Sequence, residues 1–343
     1  MEFKHYCGID VSKNTLDICI ITKPQDAPLH LQITNDEKGF KALLVWWKKI
    51  DGFNAGTTLF CMEHTGIYNN PILAFLAKLN ATVWVENAIH IQKSIGLQRG
   101  KNDKVDAHRI AVYASKNADE LKQYQPKRIV VEELKVLSSL RDQLIGMRKE
   151  LHTRINEYQK FGAKSAYNLM LKTTKQTLKG IEKDLEKTEQ EIKTIIYKNE
   201  QLKQVYELML SVTGIGHVTA LQLIVHTNEM TLVSNPRSLA CHCGVAPFER
   251  SSGLFKGKAR VSHMANKRLK TALHMAALSA MKLDKELKIF YERKVAEGKS
   301  KMSVINAIRN KLIHRIFAVI KRKQPYQKQY QPIFNIKTQK EKK

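Results

Sequence analysis

The sequence predicts an α/β domain followed by an all-α region. Three observations carry this. β-rich apolar runs near the N-terminus alternate with helical patterns over residues 1–127. Residues 128–205 carry narrow apolar seams spaced three and four apart, the pattern of long paired helices. Residues 206–320 carry apolar helical patterns around a short glycine turn, and 321–343 form a basic tail.

Within the first domain, Tyr6 to Ile9, Leu16 to Ile21 and Leu29 to Thr34 read as three strands of an antiparallel meander. Asn35-Asp36 caps a helix with Phe40, Leu43, Leu44 and Trp47 on one face. Thr58 to Met62 reads as a buried strand, Pro71 to Leu79 as a helix and Ala81 to Val85 as a further strand. A meander followed by alternating strands and helices gives a mixed sheet with helices packed on it. In the second region, Leu137, Leu140, Leu144, Met147 and Leu151 form one seam, resumed at Tyr158. Leu178, Ile181, Leu185, Ile192 and Ile195 form another, with Thr188 filling one gap. Two long helices joined near Phe161–Tyr167 make a hairpin or pair with another chain, and the narrow seams favour a coiled-coil arm used in assembly. In the third region, SVTGIGHVTALQL sets Gly214 and Gly216 between two apolar helices. That resembles a helix-hairpin-helix, whose glycines let backbone N–H groups approach a phosphate. A tight helix–helix turn explains the same letters.

Bulk properties narrow the function. The 343-residue chain carries 58 Lys and Arg against 32 Asp and Glu, a formal net charge of +26. Such a surplus calls for a polyanionic partner. No apolar run is long enough to span a membrane, and no basic amphipathic helix with aromatic anchors suggests a membrane surface. The five cysteines are odd in number and scattered, which suits a reducing, cytoplasmic setting. Cys241-His242-Cys243 lacks a second pair of ligands nearby, which argues against zinc. Residues 251–283 contain no acidic residue but hold Lys256, Lys258, Arg260, Lys267, Arg268 and Lys270, which reads as a phosphate-backbone surface. Arg250 adjoins it.

Against this basic background four carboxylates stand out. Asp10 ends the first strand and Glu63 a later one. Asp103 and Asp106 share one face at the start of a helix in KNDKVDAHRIAVYA. Each has an ordinary explanation as a turn residue or cap. Together they can meet at one sheet edge, where like charges need a cation. Hard oxygen ligands select Mg²⁺ or Mn²⁺, the ions of phosphodiester chemistry. In APFERSSGLFKGKARV, Ser251 and Ser252 read alone as polar loop residues.

GIDVSK, MEHTG, KNDKVDA, TGIG and GVAPFERSSG occur in this order from Asp10 to about Met281. Together they resemble the DEDD transposases of circularising insertion sequences, the family that includes the Piv-type DNA invertases. The resemblance implies a RuvC-like, RNase H-type first domain with Asp10, Glu63, Asp103 and Asp106 as its metal-binding tetrad. It implies subunits held by the helical arm in a dimer or tetramer. It implies a C-terminal serine that becomes covalently joined to DNA. The pattern Gly244-x-x-Pro247, four residues, then Ser252-Gly253 selects Ser252 over Ser251. Family members are guided by a structured bridge RNA that pairs with donor and target DNA, so part of the charge would serve RNA. A serine hydroxyl needs activation, which leads to the expectation of a composite site where Ser252 meets the tetrad, from the same or another subunit. Two other classes fit the residues less fully: a RuvC-like nuclease using water, and a non-enzymatic basic packaging protein.

Overall fold

The structure, a computed structural model, describes residues 3–95, 102–252, 255–262 and 265–328. For residues 95, 249–251, 255, 256 and 258–260 it describes the backbone alone. Gly253 of the serine motif lies outside the described residues. The chain divides into two compact units, Met1–Pro126 and Lys127–Lys343.

The first unit is built on five strands: β1 (His5–Val11), β2 (Thr15–Ile21), β3 (Leu29–Thr34), β4 (Thr58–Glu63) and β5 (Thr82–Glu86). Their order in the sheet is β3-β2-β1-β4-β5. The first three form an antiparallel meander, and β4 and β5 run parallel to β1. The meander is possible because the links are tight. In the first, the Ser12 backbone N–H donates to the Thr15 carbonyl at 3.0 Å. The parallel strands need crossovers, supplied by α1 (Glu37–Trp47) before β4 and α2 (Asn70–Lys78) before β5. Asp36 caps α1, its carboxylate accepting from Gly39 N at 2.9 Å.

Strand alternation sends two sets of side chains to opposite faces. Cys7, Ile9, Val11, Leu16, Ile18, Ile20, Phe60 and Met62 pack with Phe40, Leu43 and Trp47 of α1 and Ile72 and Leu76 of α2. The other face carries Cys19, Ile21, Leu59, Cys61 and Trp84, and is covered by Ala107, Ile110, Ala111 and Ala114 of α4 (Asp103–Lys116). A further helix, α3 (Ala88–Ile95), follows β5 and was not expected from the sequence; its eight residues are too few to show a period.

The second unit begins with α5 (Ile129–Phe161) and α6 (Lys164–Lys198), which fold back on one another. Leu144, Ile181 and Leu185 form their shared core, and Arg141 Nε meets Glu189 Oε1 at 2.8 Å. The seam expected on α6 is buried at Ile181, Leu185, Thr188 and Ile192, but at its ends Leu178 and Ile195 are half-buried and Ile196 is enclosed instead. On α5 the expected seam holds in part: Leu144 is buried, and Leu137 and Leu151 pack half-buried against the cores. Leu140 and Met147, however, are 40% and 54% exposed, while Leu134, Ser138 and Ile155, outside the seam, are buried. The helix carries two apolar stripes, and spacing alone does not say which one faces α6.

The remaining helices are α7 (Glu200–Leu210), α8 (His217–Thr227), α9 (Pro236–His242), α10 (Lys267–Leu283), α11 (Lys285–Ala296) and α12 (Lys301–Arg322). They share one core, with Met209, Leu223, Ile224, Leu273, Ala277, Ile308 and Leu312 fully enclosed. The region is not all-helical. The stretch expected to be a basic loop is a hairpin of β6 (Pro247–Ser252) and β7 (Phe255–Val261), with a register shift between Phe248 and Arg250. A strand signal is present in FKGKARV, where Phe255, Gly257, Ala259 and Val261 alternate with Lys256, Lys258 and Arg260, but the basic charge of the stretch reads first as a loop.

Candidate active site

The first unit places its acidic residues in one row. Asp10 on β1 pairs in register with Asp17 on β2. Asp17 in turn pairs with Gln32 on β3. On the other side Ile9 pairs with Met62, so Asp10 lies one step on, beside Glu63. Glu63 pairs with Glu86 on β5. Neighbours in register share a face, so Asp17, Asp10, Glu63 and Glu86 all lie on the face covered by α4. Gly8, two residues before Asp10, lets that helix come down on the sheet. A Cβ there would sit 2.2 Å from the Ala107 carbonyl oxygen and 2.3 Å from Ala111 N. The first turn of α4 carries Asp103 and Asp106, capped by Asn102, whose Oδ1 accepts from Val105 N at 2.8 Å. Two anions at a helix N-terminus are locally favourable.

Five of these groups share one electrostatic field. Asp10 is raised to about 6, first by burial, then by Asp103, Asp106, Glu63 and Asp17. Asp106 turns to Arg109, whose Nη1 donates to Oδ1 at 2.8 Å. Among the described residues no three His, Cys, Asp or Glu side chains are arranged closely enough to cage a metal ion. Asp10, Glu63, Asp103 and Asp106 therefore sit near one another without meeting at a common point. Their donor set is all hard oxygen, and the repulsion felt at Asp10 is what a divalent cation between them would remove, so their chemistry suits such an ion while their spacing would have to close around it.

Sequence reasoning missed two acids of the row. Asp17 is buried and accepts from Gln32 Nε2 at 2.9 Å, with His30 Nε2 at the same distance from its other oxygen. Glu86 is buried and accepts from Asn87 N at 2.6 Å and the Tyr113 hydroxyl at 3.3 Å, with His90 Nδ1 at 2.9 Å. A signal for both existed: an Asp inside the apolar run TLDICII, and a Glu ending WVE as Glu63 ends FCME.

The second unit holds the serines and the basic residues. Ser252 ends β6, is exposed and pairs with Phe255, while Ser251 pairs with Lys256 and Arg250 with Gly257. Lys258 and Arg260 also lie on β7. Lys267 and Arg268 open α10, which has no acid in its first turn; Lys267 is exposed, and Arg268 Nη1 lies 3.5 Å from Asp142 on α5. Burial holds nearby His226 down at about 4, helped by Arg268, His242, Lys127 and Lys135, a sign of how positive this neighbourhood is.

The two glycines of TGIG differ. Gly214 has φ +96°, and a Cβ would lie 2.5 Å from Ala280 Cβ and 2.7 Å from the Ala276 carbonyl, so its role is close packing on α10. Gly216 opens α8 with no side-chain cap and open space around it. Of the pair, Gly216 has the free helix N-terminus suited to an anion.

Comparisons with known proteins give matches along most of the chain. A family model for the DEDD transposase of the IS110 type, described as "Transposase", matches residues 7–159. A second, described as "Transposase IS116/IS110/IS902 family", matches residues 206–292. The pilin gene-inverting proteins of Moraxella lacunata and Moraxella bovis are each 28% identical over 332 residues, covering 95% of this chain and 98% of theirs. The transposase of insertion element IS1111A from Coxiella burnetii is 23% identical over 258 residues, 67% of this chain and 69% of its own. No helix among the described residues is long and apolar enough to cross a membrane. Two family models matched in order along one chain, with relatives aligned over nearly its whole length, give one conclusion: the chain belongs to the IS110 family of DEDD transposases and recombinases.

Proposed function

We propose that the first unit is a RuvC-like, RNase H-type catalytic domain and that the protein cuts and rejoins DNA through a serine–phosphate intermediate on Ser252. The observation that carries this reading is the shared field of Asp10, Glu63, Asp103 and Asp106 on one face of the sheet. These four would hold Mg²⁺ or Mn²⁺, which when bound supplies Lewis-acid stabilisation of charge on the phosphate oxygens. In the cutting step the Ser252 hydroxyl oxygen bonds to the scissile phosphorus and the bond to the leaving deoxyribose oxygen breaks. That oxygen takes up the hydroxyl proton. Rejoining is the reverse step with a hydroxyl of the other DNA end, so the phosphodiester energy is conserved.

The exposed position of Ser252 at a strand end supports its role as nucleophile. Arg250, Lys256, Lys258, Arg260, Lys267 and Arg268 would hold the DNA phosphates, joined by the N–H groups after Gly216. The net charge of +26 supports a structured bridge RNA as a second polyanionic partner beside donor and target DNA. Assembly through the arm is supported by α5. Ile129, Val136, Leu140, Met147, Tyr158 and Phe161 are all exposed. At about 100° per residue they fall within roughly 60° of arc, an apolar stripe of the kind that seeks a second copy.

The test is a denaturant-resistant protein–DNA adduct. Ser252→Ala abolishes it and Ser251→Ala retains it if the reading is right. A full-strength adduct from Ser252→Ala refutes the assignment, and cleavage without any adduct points to a water-using nuclease.

A further inference from the structure

The second unit holds a concave slot that the Ser252 reading does not use. It is a cleft of about 780 Å³ along α12, facing α11 and the segment after it. α12 begins at Lys301, beyond residues 206–292 matched by the second family model. Positions 311, 314, 315, 318, 321 and 322 of α12 line it, which is one face of a helix. The cationic positions 311 to 322 extend about 16 Å along the axis at 1.5 Å per residue.

The lining is strongly one-signed. Lys311, Arg315, Lys321, Arg322 and Lys328 face a single carboxylate, Glu286. Arg315 is internally compensated: its Nη1 donates to buried Asp284 at 2.7 Å, and Nη2 lies 3.5 Å from Glu286. Lys311, Lys321 and Lys328 make no ion pair among the described residues, and all three are exposed. Ordinary solvated faces mix signs evenly, whereas this one sets five cations against one carboxylate.

The walls are also held in place. Tyr326 N donates to Ser211 Oγ at 2.8 Å, which ties the segment after α12 to the helical core. The Arg315 guanidinium covers the Tyr326 ring at 4.9 Å, and Lys311 Nζ lies 4.7 Å from the Phe290 ring centre. An aromatic and amide-bearing floor (Tyr326, Asn310, Gln327) between cations matches how single strands are bound, by backbone charge and base contact together. The slot's volume is in the range that encloses a small ligand, about 300–1,000 Å³. It suits a few nucleotides of one strand, whereas a duplex presents its phosphates on convex ridges. The chain's own tail is a poor occupant, since beyond Lys328 it carries Lys337, Lys340, Lys342 and Lys343 against Glu341 alone.

We infer that the α12 cleft is a second nucleic-acid site, which takes a single-stranded segment of DNA or RNA apart from the Ser252 hairpin. The inference rests on reading the protein as a nucleic-acid enzyme. It is tested without chemistry, in EDTA, so that loss of the serine adduct and loss of this site are separate results. The full chain and Lys311→Ala/Lys321→Ala/Lys328→Ala are titrated with labelled oligo-dT, oligo-U and a duplex over a range of salt. At about 0.7 counterions per contact, the triple variant loses about 2 from the salt slope and about 100-fold in single-strand affinity at 0.1 M salt. The arm that shows the loss identifies the strand as DNA or RNA. Lys321→Ala/Lys328→Ala, which leaves the Phe290 contact intact, shows about two-thirds of the slope change. Unchanged single-strand affinity and slope overturn the inference, and so does an equal loss on the duplex.

Discussion

Gly8 is the point where a single methyl group tests how the candidate site is assembled. An alanine Cβ there would lie 2.2 Å from the Ala107 carbonyl oxygen and 2.3 Å from Ala111 N, both backbone atoms of α4. Ordinary contact begins at 3.4 Å, so α4 has to retreat by about 1 Å. Overpacking of this kind costs about 1–3 kcal/mol. For a unit of this size that lowers Tm by roughly 4–12 °C. Asp103 and Asp106 ride on the first turn of the same helix, so they move relative to Asp10 on β1. A misplacement of about 1 Å costs on the order of 100-fold in rate. Gly8→Ala is therefore expected to fold, to melt earlier, and to lose strand joining far beyond what its stability explains. The assays are thermal melting by circular dichroism and single-turnover adduct formation on a cognate DNA end. Gly146→Ala on α5, where a Cβ meets nothing within 4 Å, is the control and stays neutral. A Gly8→Ala protein with wild-type Tm and wild-type rate refutes the account of how α4 sets the carboxylates.

Three further outcomes follow from the second unit. Gly214→Ala forces a Cβ into Ala280 at positive φ and lowers the melting temperature. Gly216→Ala leaves stability within about 1 kcal/mol and weakens DNA binding; a wild-type melt for Gly214→Ala contradicts the packing role. Leu140→Lys/Met147→Lys removes the apolar character of the exposed α5 stripe, so sedimentation shows a smaller assembly at unchanged helicity. An unchanged mass shows that the stripe holds no second copy.

Much of the first unit was legible because its elements obey simple periods. β3 runs Leu29–Thr34 as expected, and β1, β2, β4 and β5 differ only by a residue or two at their ends. Asp36 announces α1 by cap chemistry that is local to the chain, whereas Asn102, the cap of α4, emerges only from the structure. The failures are tertiary or too short. The α5 seam is ambiguous because two stripes share one helix, and only the partner decides which is buried. The β6–β7 hairpin does leave a trace, since FKGKARV alternates Phe255, Gly257, Ala259 and Val261 with three cations, but the basic charge of the stretch overshadows that period. That Asp10 and Glu63 end adjacent strands is visible in order and spacing. The buried roles of Asp17 and Glu86 are not, because their partners His30, Gln32 and Tyr113 come from other elements.

The acidic row sorts its own members by what each carboxylate is given. Asp17 and Glu86 are buried and satisfied by side-chain and backbone donors of the same unit. Such groups are structural, and removing them leaves donors orphaned. Asp10 is different. Among the described residues its side chain accepts no hydrogen bond, and burial and four neighbouring carboxylates raise it to about 6. A group placed at such cost to the fold marks a functional position. The sign of its effect on stability follows. With the folded value raised, the ionised form is disfavoured in the native state, so stability falls as pH rises from about 4 through 6. Asp10→Asn removes the charge at constant shape. In EDTA at pH 7 it is expected to stabilise the protein by about 1–2 kcal/mol, screening by partial exposure taken into account. At pH 4, where the native carboxyl is already protonated, the gain disappears. The same substitution abolishes the serine adduct. Asp17→Asn, by contrast, destabilises at pH 7. If Asp10→Asn instead melts earlier than the parent protein, Asp10 belongs with Asp17 and Glu86 as a structural acid, and the repulsion that argues for a cation at this edge is absent.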